Sequence, residues 1–364
     1  MLVQPLAGDA HGALLSLTPG LETRREGGKD LARRDIIFTD WASAVRDHLP
    51  RLERALGQAV ADTEDAFTAL AASLAVDGVV VLVPAGVQVS QPLRSVVWAP
   101  GSGRAFFTRV LVVLEEGASA TFVHEAASPS EPGEHALHAG IVELLVGADA
   151  HLTFVELQTW GDHVWNVTHE RAIVGREARL DWIFGAVGSR LTKTFSELNL
   201  TGQGAEGRMS GFYFANGTQH LDHDTRQNHL APHTTSDLLF KGALTGRSRS
   251  VWRGMVHVAP GAQRADGYQA NRNLMLSPQA RADSIPGLEI LADDVRCTHG
   301  ATVGQLEEEP IYYLMSRGLP RRDAERVAVD GFFAPILDRI PFEGLRARLE
   351  RVMDDKLTKS ELGG

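Results

Sequence analysis

Two side chains in the segment LADDVRCTHGATVGQLEEEP, residues 291–310, are suited to binding iron or sulfur. Cys297 is the only cysteine in 364 residues, and His299 follows two positions later. In an extended strand residues i and i+2 point to one face, which sets a thiol beside an imidazole with Thr298 turned away. A tetrahedral metal site or a four-thiolate cluster needs four ligands. The pair is therefore either a buried structural Cys and His or half of a site that another chain completes.

A second cluster lies in QHLDHDTRQNHLAPHTTSD, where His220, His223, His229 and His233 accompany Asp222 and Asp224. Imidazoles and carboxylates together can bind zinc or iron. Spacings of three, six and four match no standard ligand motif, so the same residues also read as side chains lining turns and stacked coils. Downstream, Gln263, Arg264, Gln269, Asn271 and Asn273 are polar where a strand would be apolar. They read as polar ladders inside or along coils, with a ligand role as the alternative.

Several chemistries are excluded. The chain has no G-x-x-x-x-G-K-[ST] phosphate loop, no strand-linked G-x-G-x-x-G, no G-x-S-x-G elbow and no H-E-x-x-H. One cysteine rules out an internal disulfide, which suits a reducing cytosol. A formal net charge of -10 argues against a nucleic-acid-binding face. The first residues lack the pattern of a signal peptide, and no run of about 18 apolar residues suggests a membrane span.

Three stretches must position the candidates. Residues 1–76 read as an N-terminal helical region after a loosely held, glycine-rich start. Thr39 or Asp40 would cap a helix carrying Trp41, Ala44, Val45, His48, Leu52 and Leu56. A second helix from about Thr63 would carry Phe67, Leu70, Ala71 and Leu74 on one face. Residues 77–304 read as a β core of short strands broken by turns. Ala118, Ala148 and Ala178 stand 30 residues apart in similar turns, with Ala205 following at 27. That period suggests a β-solenoid, although each strand–turn–strand also fits an antiparallel hairpin. Residues 305–364 read as helical again. Gly318 ends one helix, Pro320 opens the next, and Ala324, Val327, Ala328, Gly331 and Phe332 share a face. Pro335 should kink or end that helix, and Leu345, Leu349, Val352 and Met353 mark the last one.

The strings LEILADDVRCTHGATVGQL and YYLMSRG closely resemble the SufB/SufD family of iron–sulfur cluster assembly scaffolds, and the likeness runs from DGVVVLVPAG to SRGLP. The single cysteine, the short helical N-terminus and the form CTHGAT resemble the SufD branch. The resemblance implies a right-handed parallel β-helix core between N- and C-terminal helical regions. It implies a cytoplasmic, non-catalytic scaffold that pairs with SufB through the β-helix ends. It also implies docking of a SufC ATPase through C-terminal helices, around Tyr312, Tyr313, Leu314 and Arg317. A nascent iron–sulfur cluster would form transiently at the SufB interface, where His299 matches the implicated position and Cys297 lies nearby. No cofactor is expected on the chain alone, a flavin is possible in the complex, and homodimers are possible in isolation. The alternatives are a stand-alone metal-dependent β-helix enzyme using His220–His233 and a SufB-like homodimeric scaffold.

Overall fold

The structure, a computed structural model, describes residues 11–340 and 342–361. Strand outweighs helix, 48% to 19%, which makes the chain mainly β. Three short strands come first, β1 (Ala13–Leu17), β2 (Arg24–Gly27) and β3 (Ile37–Asp40), followed by helices α1 (Trp41–Glu53) and α2 (Ala66–Leu74). Sixteen strands then alternate between two sheets. One sheet takes β4 (Asp77–Val83), β6 (Ala105–Leu114), β8 (Ala136–Val146), β10 (Val164–Val174), β12 (Leu191–Leu200), β14 (His220–His229), β16 (Arg249–Val258) and β18 (Arg281–Ile290). The other takes β5 (Leu93–Trp98), β7 (Ser119–Ala127), β9 (His151–Thr159), β11 (Arg179–Ala186), β13 (Glu206–Ala215), β15 (Thr235–Leu244), β17 (Asp266–Met275) and β19 (Arg296–Gln305). Each strand pairs in parallel with the one a full coil away. The result is a flattened parallel β-solenoid of about eight coils. Parallel pairing removes the hairpin alternative.

The coils stack through one recurrent turn. A left-handed residue, φ between 51° and 72°, occurs in turn after turn at Gly86, Gly117, Asp149, Glu177, Gly204, His233 and Arg264. Its amide donates to the carbonyl just before the equivalent residue of the next coil, as from Gly117 to Ala148 and from Asp149 to Arg176. Ala118, Ala150, Ala178, Ala205, Thr234 and Ala265 follow these positions and are buried. The coils therefore measure 32, 28, 27, 29 and 31 residues. The structural mate of Ala118 is Ala150, not Ala148, because the connection between β7 and β8 is longer than its successors.

Between the sheets lies an apolar core. One inward column runs Leu93, Phe122, Phe154, Trp182, Met209, Leu238, Gln269 and His299, one residue per coil. The Phe122 and Phe154 rings stack at 5.7 Å. Such stacked apolar side chains are the main favourable term in the fold.

The N-terminal segment differs from the helical expectation. β1, with its apolar run ALLSL, is buried and pairs in parallel with β5, so the glycine-rich start is partly built into a sheet. β3 pairs antiparallel with β4. Asp40 caps α1 by accepting from the Ser43 amide at 2.9 Å. His48 breaks that helix two residues before Pro50, and Val45 is left exposed. α2 begins at a capping box made by Asp65 and Thr68. The loop between the helices is held by Glu143, whose carboxylate accepts from the Gly57, Ala59 and Val60 amides.

Three helices close the chain, α3 (Glu308–Ser316), α4 (Arg321–Leu337) and α5 (Glu343–Glu361). Gly318 follows α3 at φ 97°, and Pro320 stands at the N-cap of α4. α4 runs through Pro335 and buries Ala324, Val329, Phe333, Ile336 and Leu337. The expected face thus lies one residue off, and Val327 is exposed. Phe333 packs on Phe212 and Phe214 of β13, 6.2 and 6.4 Å between centroids. Leu349 and Met353 join that cluster, whereas the side chain of Leu345 lies outside the described residues. No helix among the described residues is long and apolar enough to cross a membrane.

Candidate functional site

The two ends of the solenoid are built differently. At the first end β2 is four residues long, antiparallel and charged, and β3 is equally short. Short charged edges resist further pairing. At the far end β18 and β19 are ten residues each, and each has one strand neighbour among the described residues. From Cys297 to Gln305 the edge strand β19 carries no Asp, Glu, Lys or Arg. Ile285, Ile290, Leu291 and Val303 are exposed around this end.

Cys297 and His299 sit on β19 and face inward, opposite Gly267 and Gln269 of the preceding coil. They share a face, as the strand period requires. Gln269 is fully buried while His299 is exposed, because no further coil covers it. The Cys297 side chain packs against the buried cluster of Val256, Val258, Ala262 and Ala265. Burial pushes its thiol up, Asp266 adds to the effect, and the Gly267 amide donates to the sulfur. A β-carbon on Gly267 would come 3.2 Å from Cys297 Sγ and 3.1 Å from His229 Nε2. The bare glycine thus makes room for both groups.

Below this mouth the interior turns polar. Asn273 Nδ2 donates to Asn271 Oδ1 at 2.6 Å, Tyr213 Oη donates to Asn273 Oδ1 at 2.6 Å, and Gln269 Nε2 donates to the Gly287 carbonyl at 2.8 Å. Gln269, Asn271 and Asn273 are the interior ladder read from the sequence. Gln263 and Arg264 belong instead to the left-handed turn.

The four histidines of residues 220–233 go to different places. His223 is fully buried, with Nδ1 bonded to Thr194 Oγ1 at 2.8 Å, and burial holds it at about 3. His229 is bonded to Thr234 Oγ1 and Ser236 Oγ, both at 2.8 Å, and burial holds it at about 4. His220 faces outward beside Arg249 and Asp222. His233 occupies a left-handed turn position, its amide donating to the Gln263 carbonyl. Among the described residues no three His, Cys, Asp or Glu side chains converge as a metal cage, so His220, His223, His229 and His233 are not one ligand set. Alternation along β14 sends His220 to the outer side of the sheet and His223 and His229 to the inner one, while His233 lies beyond the strand.

α3 packs against α4 and displays Tyr312 and Tyr313, 74% and 56% exposed. The Arg317 guanidinium lies 5.2 Å from the Tyr313 ring centre, and its Nη2 donates to Tyr313 Oη at 3.3 Å. Leu314 is half-buried. Of the expected docking residues, Tyr313 and Arg317 touch, and Tyr312 is exposed on the same helix, which begins soon after β19 ends. One functional candidate went unnoticed in the sequence: the buried pair Glu156 and Glu170. Its signal was a carboxylate at an inward position of an otherwise apolar strand, as in LTFVELQT.

The chain is thus a parallel solenoid with one open end, an inward thiol and imidazole at its mouth and a tyrosine-bearing helix after its last strand. The SufBD core domain of the SUF system for FeS cluster assembly matches residues 97–332, and the SufBD N-terminal region matches residues 23–95. The chain belongs to the SufBD family of iron–sulfur cluster assembly proteins. Its relatives include the iron–sulfur cluster assembly SufBD family proteins of Staphylococcus epidermidis and Staphylococcus saprophyticus. Each is 30% identical over 315 residues, covering 86% of this chain and 68% of the relative. The Staphylococcus aureus relative is 29% identical over the same span.

Proposed function

We propose that this chain is the SufD-type half of a two-solenoid scaffold and is itself non-catalytic. Its open end adds to the open end of a SufB-type partner in the cytoplasm. The iron–sulfur cluster is cargo built transiently at that junction. The observation carrying this reading is the contrast between a blunted first end and a ten-residue edge strand that is free of charge from Cys297 to Gln305 and bears Cys297 and His299. An unpaired edge is a template for another chain.

His299 would offer a neutral imidazole nitrogen to iron at the junction, and Cys297 a sulfur once its proton is lost. The raised thiol fits a group that waits for iron or for the partner before ionising. Gln269 and the Asn271–Asn273 pair hold the floor beneath them. The patch of Tyr312, Tyr313, Leu314 and Arg317 would dock a SufC-type ATPase, supplying the ATP handling for which this chain has no phosphate loop.

The test is anaerobic cluster assembly on the co-purified complex, with His299→Ala and Cys297→Ala beside the wild type. An intact complex that fails to assemble clusters with His299→Ala is the expected result. Normal assembly by both variants would leave the pair structural and the ligand role wrong. A chain that forms complete cluster-bearing homodimers alone would favour the SufB-like reading.

A further inference from the structure

Well inside the solenoid, far from the open end in sequence, two carboxyl groups meet with no cation. Glu156 of β9 and Glu170 of β10 face inward from opposite sheets and line one small interior cavity of about 20 Å³. That is room for a single water, which needs roughly 10–15 Å³. Glu170 Oε2 accepts from Ser196 Oγ at 2.7 Å. Glu156 Oε2 is buried without a well-formed hydrogen bond; the indole N–H of Trp182 beside it is a weak donor that only partly offsets the burial. No lysine or arginine lines the cavity.

The titratable neighbours are all imidazoles. His138 is bonded at Nδ1 to Asn166 Oδ1 and at Nε2 to Thr108 Oγ1. His124 is bonded at Nδ1 to Ser95 Oγ. His223, from β14, also faces the interior near Phe184. Burial keeps all three neutral, holding His124 and His138 at about 4 and His223 at about 3. β11 and β12 contribute Trp182, Phe184, Thr194 and Ser196, none of which carries charge at neutral pH.

Two ionised carboxylates here would bury two negative charges with nothing to offset them, which a protein interior does not tolerate. We propose that Glu156 and Glu170 form a proton-binding site inside the solenoid, holding a proton and one water between them, and that the surrounding coils loosen when the site loses its proton. The protonated carboxyl donates through that water to the orphaned oxygen. Burial is the main cause of the shift, pushing Glu170 up to about 8 and Glu156 well above its usual range, the latter with added repulsion from Glu170.

The sign follows directly. A carboxyl whose folded pKa is raised stabilises the fold fully below its unfolded value, and that contribution is lost as pH rises through the folded one. The solenoid should therefore weaken as pH climbs through about 8.

Infrared spectra of the full chain at neutral pH should contain a protonated-carboxyl band that disappears on alkaline titration. Thermal unfolding followed from about pH 6 to about pH 9 should fall by roughly 5 °C. In the isosteric Glu156→Gln/Glu170→Gln protein the band should vanish and the alkaline loss should flatten. Absence of the band in the wild type, or an unchanged alkaline slope in the double variant, would overturn the proposal. Rescue of the alkaline slope by sodium chloride but not by choline chloride would also overturn it, and assign the cavity to a small cation instead.

Discussion

Strand alternation sets Cys297 and His299 together on the interior face of the last coil, where Cys297 is packed and His299 is bare. That distinction depends on a coil that is not there. The same alternation misled in residues 220–233, where four close histidines suggested one site. The strand sends His223 and His229 inward to hydroxyl partners and leaves His220 outside. The buried imidazoles carry their own prediction. Burial depresses His124, His138 and His223, so the stability they allow is present above the unfolded histidine value, about 6.5, and is lost as pH falls toward about 4. Thermal melts in acid should drop below about pH 6, and replacing His138 by Asn should shallow that drop.

Coils and helices were read with unequal success. Strand runs and the period near 30 were visible, yet the register slipped by two at Ala148, because coil length varies and the recurring feature is a left-handed backbone rather than a residue type. Gly86, Gly117 and Gly204 alternate with Asp149, Glu177, His233 and Arg264 at that position. A β-carbon on Gly117 would meet nothing nearer than the Gly86 backbone at 3.9 Å, an ordinary contact, so Gly117→Ala should cost only backbone strain, about 1 kcal/mol by chemical denaturation. The face of α4 slipped by one residue because Val327 and Phe332 compete with Val329 and Phe333, and only the sheet decides between them. On α3 the exposed aromatic pair argues at this scale too. Tyr313→Ala should weaken ATPase binding at least about tenfold by calorimetry while the melting temperature stays put. Equal affinity would exclude the patch from the interface.

At the scale of the molecule, a helical–β–helical plan could be read from composition and period, but the strands before α1 could not. The apolar run ALLSL is too short to distinguish from a loop until β5 is there to receive it. Those strands matter more than their length suggests, because they terminate the sheets at one end. Val303→Lys on β19 should put a charge on the other end and shift any self-associated chain toward monomer in gel filtration, leaving the fold intact. No such shift would remove β19 from the contact. The asymmetry of the two ends also sets a count. A rod that is adhesive at both ends joins head to tail without limit and grows into a filament. A rod adhesive at one end can meet a single counterpart and then has nothing left to offer, so under the proposed pairing the blunting by β2 and β3 would set two as the number of solenoids and keep the product discrete.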